Sequence, residues 1–268
     1  MQTKFISSGQ NPLVKQIVAL RDKAKARRSH ELFVVEGLRE IQLAVKSKFD
    51  ITTLLYCPEI IDHSALTALI GIIDGSFERI EVPQDIYQKM AYRQSTEGVL
   101  AVCRTQSQSL ETIKFKRQHP LILVAEAPEK PGNIGALLRT CDAANVDAMI
   151  IANPKTDLYN PNIVRSSVGG IFTMQVRTGS TDEIIAYLKK NGIAIYCASL
   201  QAAVPYTQID FKGPAAIVVG TESEGLSPTW TQESTDNIVI PMSGKIDSMN
   251  VSVAAGILLF EAIRQKSH

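Results

Sequence analysis

The chain is poor in anything that could staple or anchor it from outside a hydrophobic core. It has only four cysteines, Cys57, Cys103, Cys141 and Cys197, in 268 residues. None forms a CxxC pair, and the four histidines show no metal-ligand spacing with them, so neither a disulfide framework nor a metal site is expected. Scattered free thiols suit a reducing compartment, and a cytoplasmic location is expected. No apolar run lies between Met1 and Gln10, which argues against a signal peptide. The longest apolar stretch, Val251 to Phe260, is about half the length of a bilayer span, so a buried helix and no membrane contact are expected. An excess of one charge is also missing: 28 Lys and Arg against 27 Asp and Glu leave +1. Two nucleotide fingerprints are absent as well. No Gly-Lys-Ser/Thr follows a glycine loop, and no Gly-x-Gly-x-x-Gly follows a strand, so a nicotinamide-type dehydrogenase has little support.

What is present is an alternation of helical and extended patterns, which implies α/β architecture. Asn11-Pro12 opens a helix with Leu13, Ile17 and Leu20 on one face. Short strands are expected at Phe33-Val34-Val35, Thr52 to Cys57, Arg79 to Val82 and Val99 to Arg104. Helices are expected at Leu38 to Lys48, Ser64 to Ile70 and Gln84 to Ala91. The Gln-, Ser- and charge-rich stretch Thr105 to His119 separates two apolar blocks. This suggests a domain over residues 1–106, a linker over 107–119 and a second domain over 120–268. In the second, strands at Leu121 to Ala125, Ala148 to Ala152, Gln175 to Arg177, Ile193 to Ser199, Ala215 to Val219 and Asn237 to Ile240 are expected. They alternate with helices at Asn133 to Asn145, Pro161 to Phe172, Asp182 to Lys190 and Asn250 to Lys266. That order implies a doubly wound parallel sheet with ligands at the strand carboxyl ends.

Charge is uneven along the chain. Lys15, Arg21, Lys23, Lys25, Arg27 and Arg28 face one acid, Asp22, between Asn11 and His30. Such a segment can follow a phosphate backbone or can be a solvated helix face. Three further segments carry candidate chemistry. Asn133-Ile134-Gly135-Ala136-Leu137-Leu138-Arg139 opens a helix after a buried strand, with Asn133 also suited to capping it. Gly220-Thr221-Glu222-Ser223-Glu224-Gly225-Leu226-Ser227 follows a strong strand, and Gly220 leaves room there for a flat ligand. Ile240-Pro241-Met242-Ser243-Gly244 leads to Ser248-Met249-Asn250, where Asn250 or Ser248 can cap the last helix.

In this order, the three segments resemble the motifs of the SpoU/TrmH family within the SPOUT superfamily, RNA ribose 2′-O-methyltransferases that use S-adenosylmethionine. The resemblance covers Leu121 to Gln265. Upstream, Asn11 to Lys15 and Phe33 to Gly37 resemble the family's substrate-binding domain, similar to a ribosomal-protein-type RNA-binding fold. The resemblance implies a deep trefoil knot in the C-terminal domain and a homodimer with the active site at the subunit interface. It implies catalytic roles for Asn133, Arg139, Glu222, Ser248 and Asn250, with backbone groups at Gly220, Ile240 and Met249 holding the cofactor's adenosine. Lys15, Arg21, Lys23, Arg27 and Arg28 become the expected RNA contacts. The chain departs from the usual pattern at Thr221, where Asn is common, and at Met249, where Leu is common; both changes keep the chemical character of the position.

The expected reaction is methyl transfer to a ribose hydroxyl of RNA, with ribosomal RNA favoured by the N-terminal domain. A tRNA ribose methyltransferase and a non-catalytic RNA-binding factor on the same fold are the alternatives. A ribose hydroxyl is a weak acid, so attack needs a positioned base and nearby positive charge. Arg139 is effectively always protonated. It is expected to bind the phosphate and ease ionisation of the hydroxyl, leaving the phosphate or Arg139 itself as proton acceptor.

Overall fold

The structure is a computed structural model describing residues 3–93, 97–202, 204–221, 224–245 and 248–267. Contacts divide the chain into two compact units, residues 1–106 with 157–173, and residues 107–156 with 174–268.

The first unit begins with β1 (Lys4–Phe5), α1 (Pro12–Asp22), α2 (Ala24–His30), β2 (Leu32–Glu36) and α3 (Leu38–Lys46). It continues through β3 (Ile51–Tyr56), α4 (His63–Ile72), β4 (Glu78–Glu81), α5 (Gln84–Met90) and β5 (Val99–Arg104). Its sheet has the order β1-β4-β3-β5-β2; β1, β4 and β3 run parallel, and β5 is antiparallel to both β3 and β2. Asn11 caps α1 by accepting the Leu13 N–H at 2.9 Å, and Pro12 fills the first helical position, where no amide donor is needed. Val14, Ile17 and Leu20 then face the sheet and pack with Val34, Leu55, Ile80 and Leu100. The two-residue strand β1 went unforeseen because so short a segment shows no periodicity.

The second unit opens with β6 (Leu121–Glu126), α6 (Pro131–Ala143) and β7 (Ala148–Ala152). Two short helices, α7 (Pro161–Ser166) and α8 (Gly170–Thr173), return to the first unit. The sequence pattern predicted one helix from Pro161 to Phe172. It breaks at Val168 and Gly169, whose φ values are +50° and +92°. A Cβ at Gly169 would collide with Cδ1 of Leu43 on α3, so the break lets α8 dock on that helix. This returning segment is fastened by chemistry as well as packing. The Arg27 guanidinium donates to both carboxylate oxygens of Asp157, at 3.0 and 2.6 Å, and to the backbone oxygens of Leu20 and Arg21. Tyr159 stacks on Phe33 with ring centroids 4.2 Å apart, and Phe172 meets Phe49 edge to face.

The chain then forms β8 (Val176–Gly179), α9 (Thr181–Lys190), β9 (Ala194–Ala198), β10 (Val204–Pro205), β11 (Ala215–Val219), α10 (Pro228–Glu233), β12 (Asp236–Val239) and α11 (Val251–Lys266). All seven strands of this sheet are parallel, in the order β10-β12-β9-β11-β6-β7-β8. Every residue of β6, β7 and β11 is buried, the signature of a sheet covered on both faces. Ile122, Val124, Ile150 and Val218 pack with Ile184 and Leu188 of α9 and with Trp230 of α10. Helices α6 and α11 pack together, and α11 also lies on β6 and β11. The stretch 107–119, expected as a linker, is tied to the second unit. The Thr178 N–H donates to the Gln108 carbonyl, the Lys114 N–H to Gln175 Oε1 and the Lys116 N–H to Asp147 Oδ1. Leu110, Ile113 and Phe115 pack on its core. No helix among the described residues is long and apolar enough to cross a membrane.

Removing one member of a buried ion pair leaves an uncompensated charge. Arg27→Ala should therefore cost about 3–5 kcal/mol, seen as a lower urea midpoint at constant slope. Joint replacement, Arg27→Met with Asp157→Leu, should recover most of that loss. An unchanged midpoint in Arg27→Ala would mean that the pair does not hold the returning segment.

Candidate active site

The parallel strands β9, β11 and β12 end side by side, and the loops after them enclose a cleft of about 430 Å³. Val219, Ile238, Ile240, Leu226, Val251 and Ala254 give it apolar walls, while Ser199, Thr221, Glu224 and Ser248 supply polar groups. Its volume lies within the range of small-molecule sites, and strand carboxyl ends are where open α/β sheets bind ligands. Gly220, Ile240 and Met249, the three residues expected to hold the adenosine, all line it, as does Ser248.

The loop after β11 closes on itself. Thr221 and Gly225 exchange backbone hydrogen bonds of 3.0 and 3.1 Å, and the Thr221 hydroxyl accepts the Glu224 N–H at 3.0 Å. Gly225 has φ +71°, a left-handed turn conformation. The role of Gly220 differs from the sequence expectation. A Cβ there would overlap the backbone C and O of Gly225 and stand 2.6 Å from Leu226 N, so the loop's own backbone fills the space that the sequence reading left for a ligand. Glu222, the acid expected from this motif, lies outside the described residues.

Sequence reasoning missed Glu126. It ends β6 buried, where its Oε1 accepts the Ser227 hydroxyl at 2.7 Å and its Oε2 the Ser227 N–H at 2.8 Å. Thr181 adds a longer hydrogen bond at 3.4 Å. Ser227 begins α10, so a carboxylate on β6 satisfies that helix start and pins the end of the 220–227 loop. The available signal was an acid directly after five apolar strand residues, a position that must find a partner once buried.

On the other side, Asn133 belongs to the first turn of α6, which begins at Pro131, so it is not the cap of its helix. Its Oδ1 stands 3.5 Å from Asn250 Nδ2. Asn250 does cap α11, through Oδ1 to the Ser252 N–H at 3.0 Å, and its amide group is left to meet Asn133. Arg139 lies six residues further along α6, about 9 Å by helical rise and roughly two-thirds of a turn round the axis from Asn133. It is exposed, has no ion-pair partner among the described residues, and does not line the cleft of its own chain.

The basic segment divides. Lys15, Lys23 and Arg28 are exposed. Arg21 is partly buried, pairs with Asp22 at 2.7 Å and donates to the Lys89 and Ala91 carbonyls. Arg27 is withdrawn as an RNA contact, because it is buried and committed to Asp157.

Comparison with known proteins bears on the whole arrangement. Residues 120–260 match the model of the SpoU rRNA Methylase family, and residues 11–101 match an MRM3-like substrate binding domain. The chain belongs to the SpoU rRNA methylase family. This SpoU-family chain is 27% identical over 257 residues to the 23S rRNA (guanosine(2553)-2′-O)-methyltransferase RlmP of Bacillus subtilis (strain 168), covering 96% of this chain and 98% of the relative. It is 29% identical to a 23S rRNA (uridine(2479)-2′-O)-methyltransferase of Streptomyces viridochromogenes, covering 92% and 87%. An AdoMet-bound rRNA methyltransferase from Sinorhizobium meliloti superposes with a TM-score of 0.88 at 28% identity, over 98% of each chain. The expected fold class, a SPOUT-type parallel sheet preceded by a smaller α/β domain, agrees with this neighbour.

Gly220→Ala should abolish binding of S-adenosylmethionine in titration calorimetry, because the added methyl displaces the loop that walls the cleft. Glu126→Ala should weaken the same binding and cost about 1–3 kcal/mol of stability, since the start of α10 loses its acceptor. Full cofactor affinity in both variants would show that this loop does not shape the cleft.

Proposed function

We propose that this protein transfers the methyl group of S-adenosylmethionine to a ribose 2′-hydroxyl of ribosomal RNA. The observation that carries the reading is the cleft at the carboxyl ends of β9, β11 and β12, bordered by the motif residues Gly220, Ile240, Ser248 and Met249. Similarity to 23S rRNA methyltransferases over nearly the whole chain supports ribosomal RNA as the substrate class. Four buried, unpaired cysteines suit work in a reducing cytosol.

The cleft fits the cofactor in size and in its mixture of apolar and polar lining residues. S-adenosylmethionine supplies an activated methyl group, so the protein's task is the nucleophile. Asn133 and Asn250, 3.5 Å apart, hold the geometry beside the cleft. Ser248 adds a polar group at the cleft, and the motif acid Glu222, outside the described residues, takes its role from the family motif alone. Arg139 binds the RNA phosphate and lowers the cost of ionising the hydroxyl, while the proton passes to the phosphate or to Arg139 itself.

The active unit in this reading is a homodimer. Val253 and Phe260 of α11 are 54% and 51% exposed, and with Gly256 and Ile257 they form an apolar stripe at helical spacing. Arg139 sits outside its own chain's cleft, as it must if it serves the partner's.

The deciding experiment is methyl transfer to ribosomal RNA from cells lacking the gene, with the modified nucleotide mapped. Arg139→Ala should lower turnover at least about 100-fold, as loss of a charge-stabilising group does. Arg139→Ala and Asn250→Ala, each nearly inactive alone, should recover part of the activity when mixed, because one hybrid site then carries both native residues. Failure of the native protein to methylate any RNA while binding the cofactor would overturn the assignment; no recovery on mixing would overturn the shared site.

A further inference from the structure

The first unit holds a carboxylate that nothing so far uses. Glu36 ends β2, and its Oε2 accepts the N–H groups of Tyr92 and Arg93 at 2.9 and 3.2 Å. Its Oε1 is buried with no hydrogen-bond partner among the described residues. Burial raises the pKa of this carboxyl above the usual value, against the pull of those two N–H groups and of Arg93. A buried acceptor without a donor is costly and uncommon, so it marks a place where a donor from outside is accommodated.

The surroundings say what kind of donor. Glu36 lines a narrow pocket with Val34, Met90 and Val164 as apolar neighbours. The cavity measures about 20 Å³, space for one water-sized group. Tyr92, which also lines it, is 44% exposed, and the Arg165 guanidinium carbon lies 5.9 Å from its ring centroid. Arg21 and Arg93 line the same pocket but are held by Asp22 and Glu40, which leaves Arg165 as the exposed cation. An aromatic face with an arginine on it is a stacking platform for a flat ring, and the cation suits the phosphate beside that ring. The nook accepts one small N–H donor and repels a carbonyl oxygen.

We propose that this pocket is a subsite for one unpaired, amino-bearing base of the RNA substrate. The base stacks on Tyr92 and Arg165 and donates its exocyclic amine to Glu36 Oε1. Adenine, cytosine and guanine carry such an amine. Uracil has no exocyclic amine: its two exocyclic groups are carbonyl oxygens, and its ring N3–H lies recessed between them, so it is disfavoured. The proposal rests on the RNA-methyltransferase reading and deepens it: the pocket lies in the unit that matches a substrate binding domain, so it selects the RNA and takes no part in methyl transfer.

The test uses the full-length protein and fluorescent single-stranded octaribonucleotides: oligo-U, oligo-U with one central adenosine, and the same with purine riboside, which lacks the amine, at that position. The native protein should bind the adenosine probe about tenfold more tightly than the other two. Tyr92→Ala, at an exposed position, should weaken the adenosine probe by about tenfold, as loss of one stacking partner does. Glu36→Gln keeps an oxygen for the Tyr92 and Arg93 N–H groups and turns an amide NH₂ toward the nook, so the preference for adenosine should vanish or pass to uridine. A thermal melt confirms that this variant is folded, and Tyr92→Ala reads the site independently of it. Equal affinity of the native protein for all three probes, or native-like binding by Tyr92→Ala, would overturn the subsite and leave only a trapped water at Glu36. If no probe binds while ribosomal RNA is still methylated, the subsite alone fails; if methylation is also absent, the functional reading fails with it.

Discussion

At the end of β11 two stretches of backbone pass so closely that no side chain can stand between them. Gly220 gives up its Cβ to the peptide of Gly225, and the loop between them folds back on the strand that carries it. Much of the second unit is arranged around that contact. β11 lies between β9 and β6, buried on both faces, so its end is fixed in the middle of the sheet. Glu126, at the end of the neighbouring strand, ties down Ser227 where the loop runs into α10. Thr221, Gly225 and Ser227 are thereby held in place, and cleft-wall positions fixed in advance spare part of the ordering cost of cofactor binding.

Asn250 shows how one side chain serves two levels of the structure. Its oxygen starts α11 by accepting from Ser252, and its amide nitrogen turns toward Asn133 on α6. The helix that it begins packs against the helix that carries its partner. Cap and helix packing are therefore one constraint, and the site proposed for Asn133 and Asn250 would take its geometry from it.

Much of this was legible in the sequence because it rests on local signals. Continuous apolar runs such as Leu121 to Ala125 mark strands buried on both faces, and Asn11-Pro12 marks a helix start whatever the rest of the chain does. The three motif segments were legible through their order. What stayed hidden depends on partners distant in the chain. Arg27 looked like one more cation on a basic helix until Asp157, 130 residues away, claimed it. Glu126 belongs to no motif of its own and takes its role from Ser227, 101 residues further on. The break at Val168 and Gly169 answers Leu43, far upstream, and no pattern within Pro161 to Phe172 could announce that. Such residues are decided by tertiary contact, which periodicity and propensity do not sense.

The returning segment has a bearing on how such a protein can be divided. Residues 157–173 lie inside the SpoU match in sequence but belong to the first unit in space, so the polypeptide passes between the units three times. A piece cut after Gln106 would keep Arg27 and Phe33 but lose Asp157, Tyr159 and Phe172. A charge would then sit in an apolar interior without its counter-ion, beside an aromatic surface stripped of its cover. The half that matches a substrate binding domain is thus not a detachable module. Exchange of that half between relatives, by recombination or by design, has to carry two separate stretches of gene together.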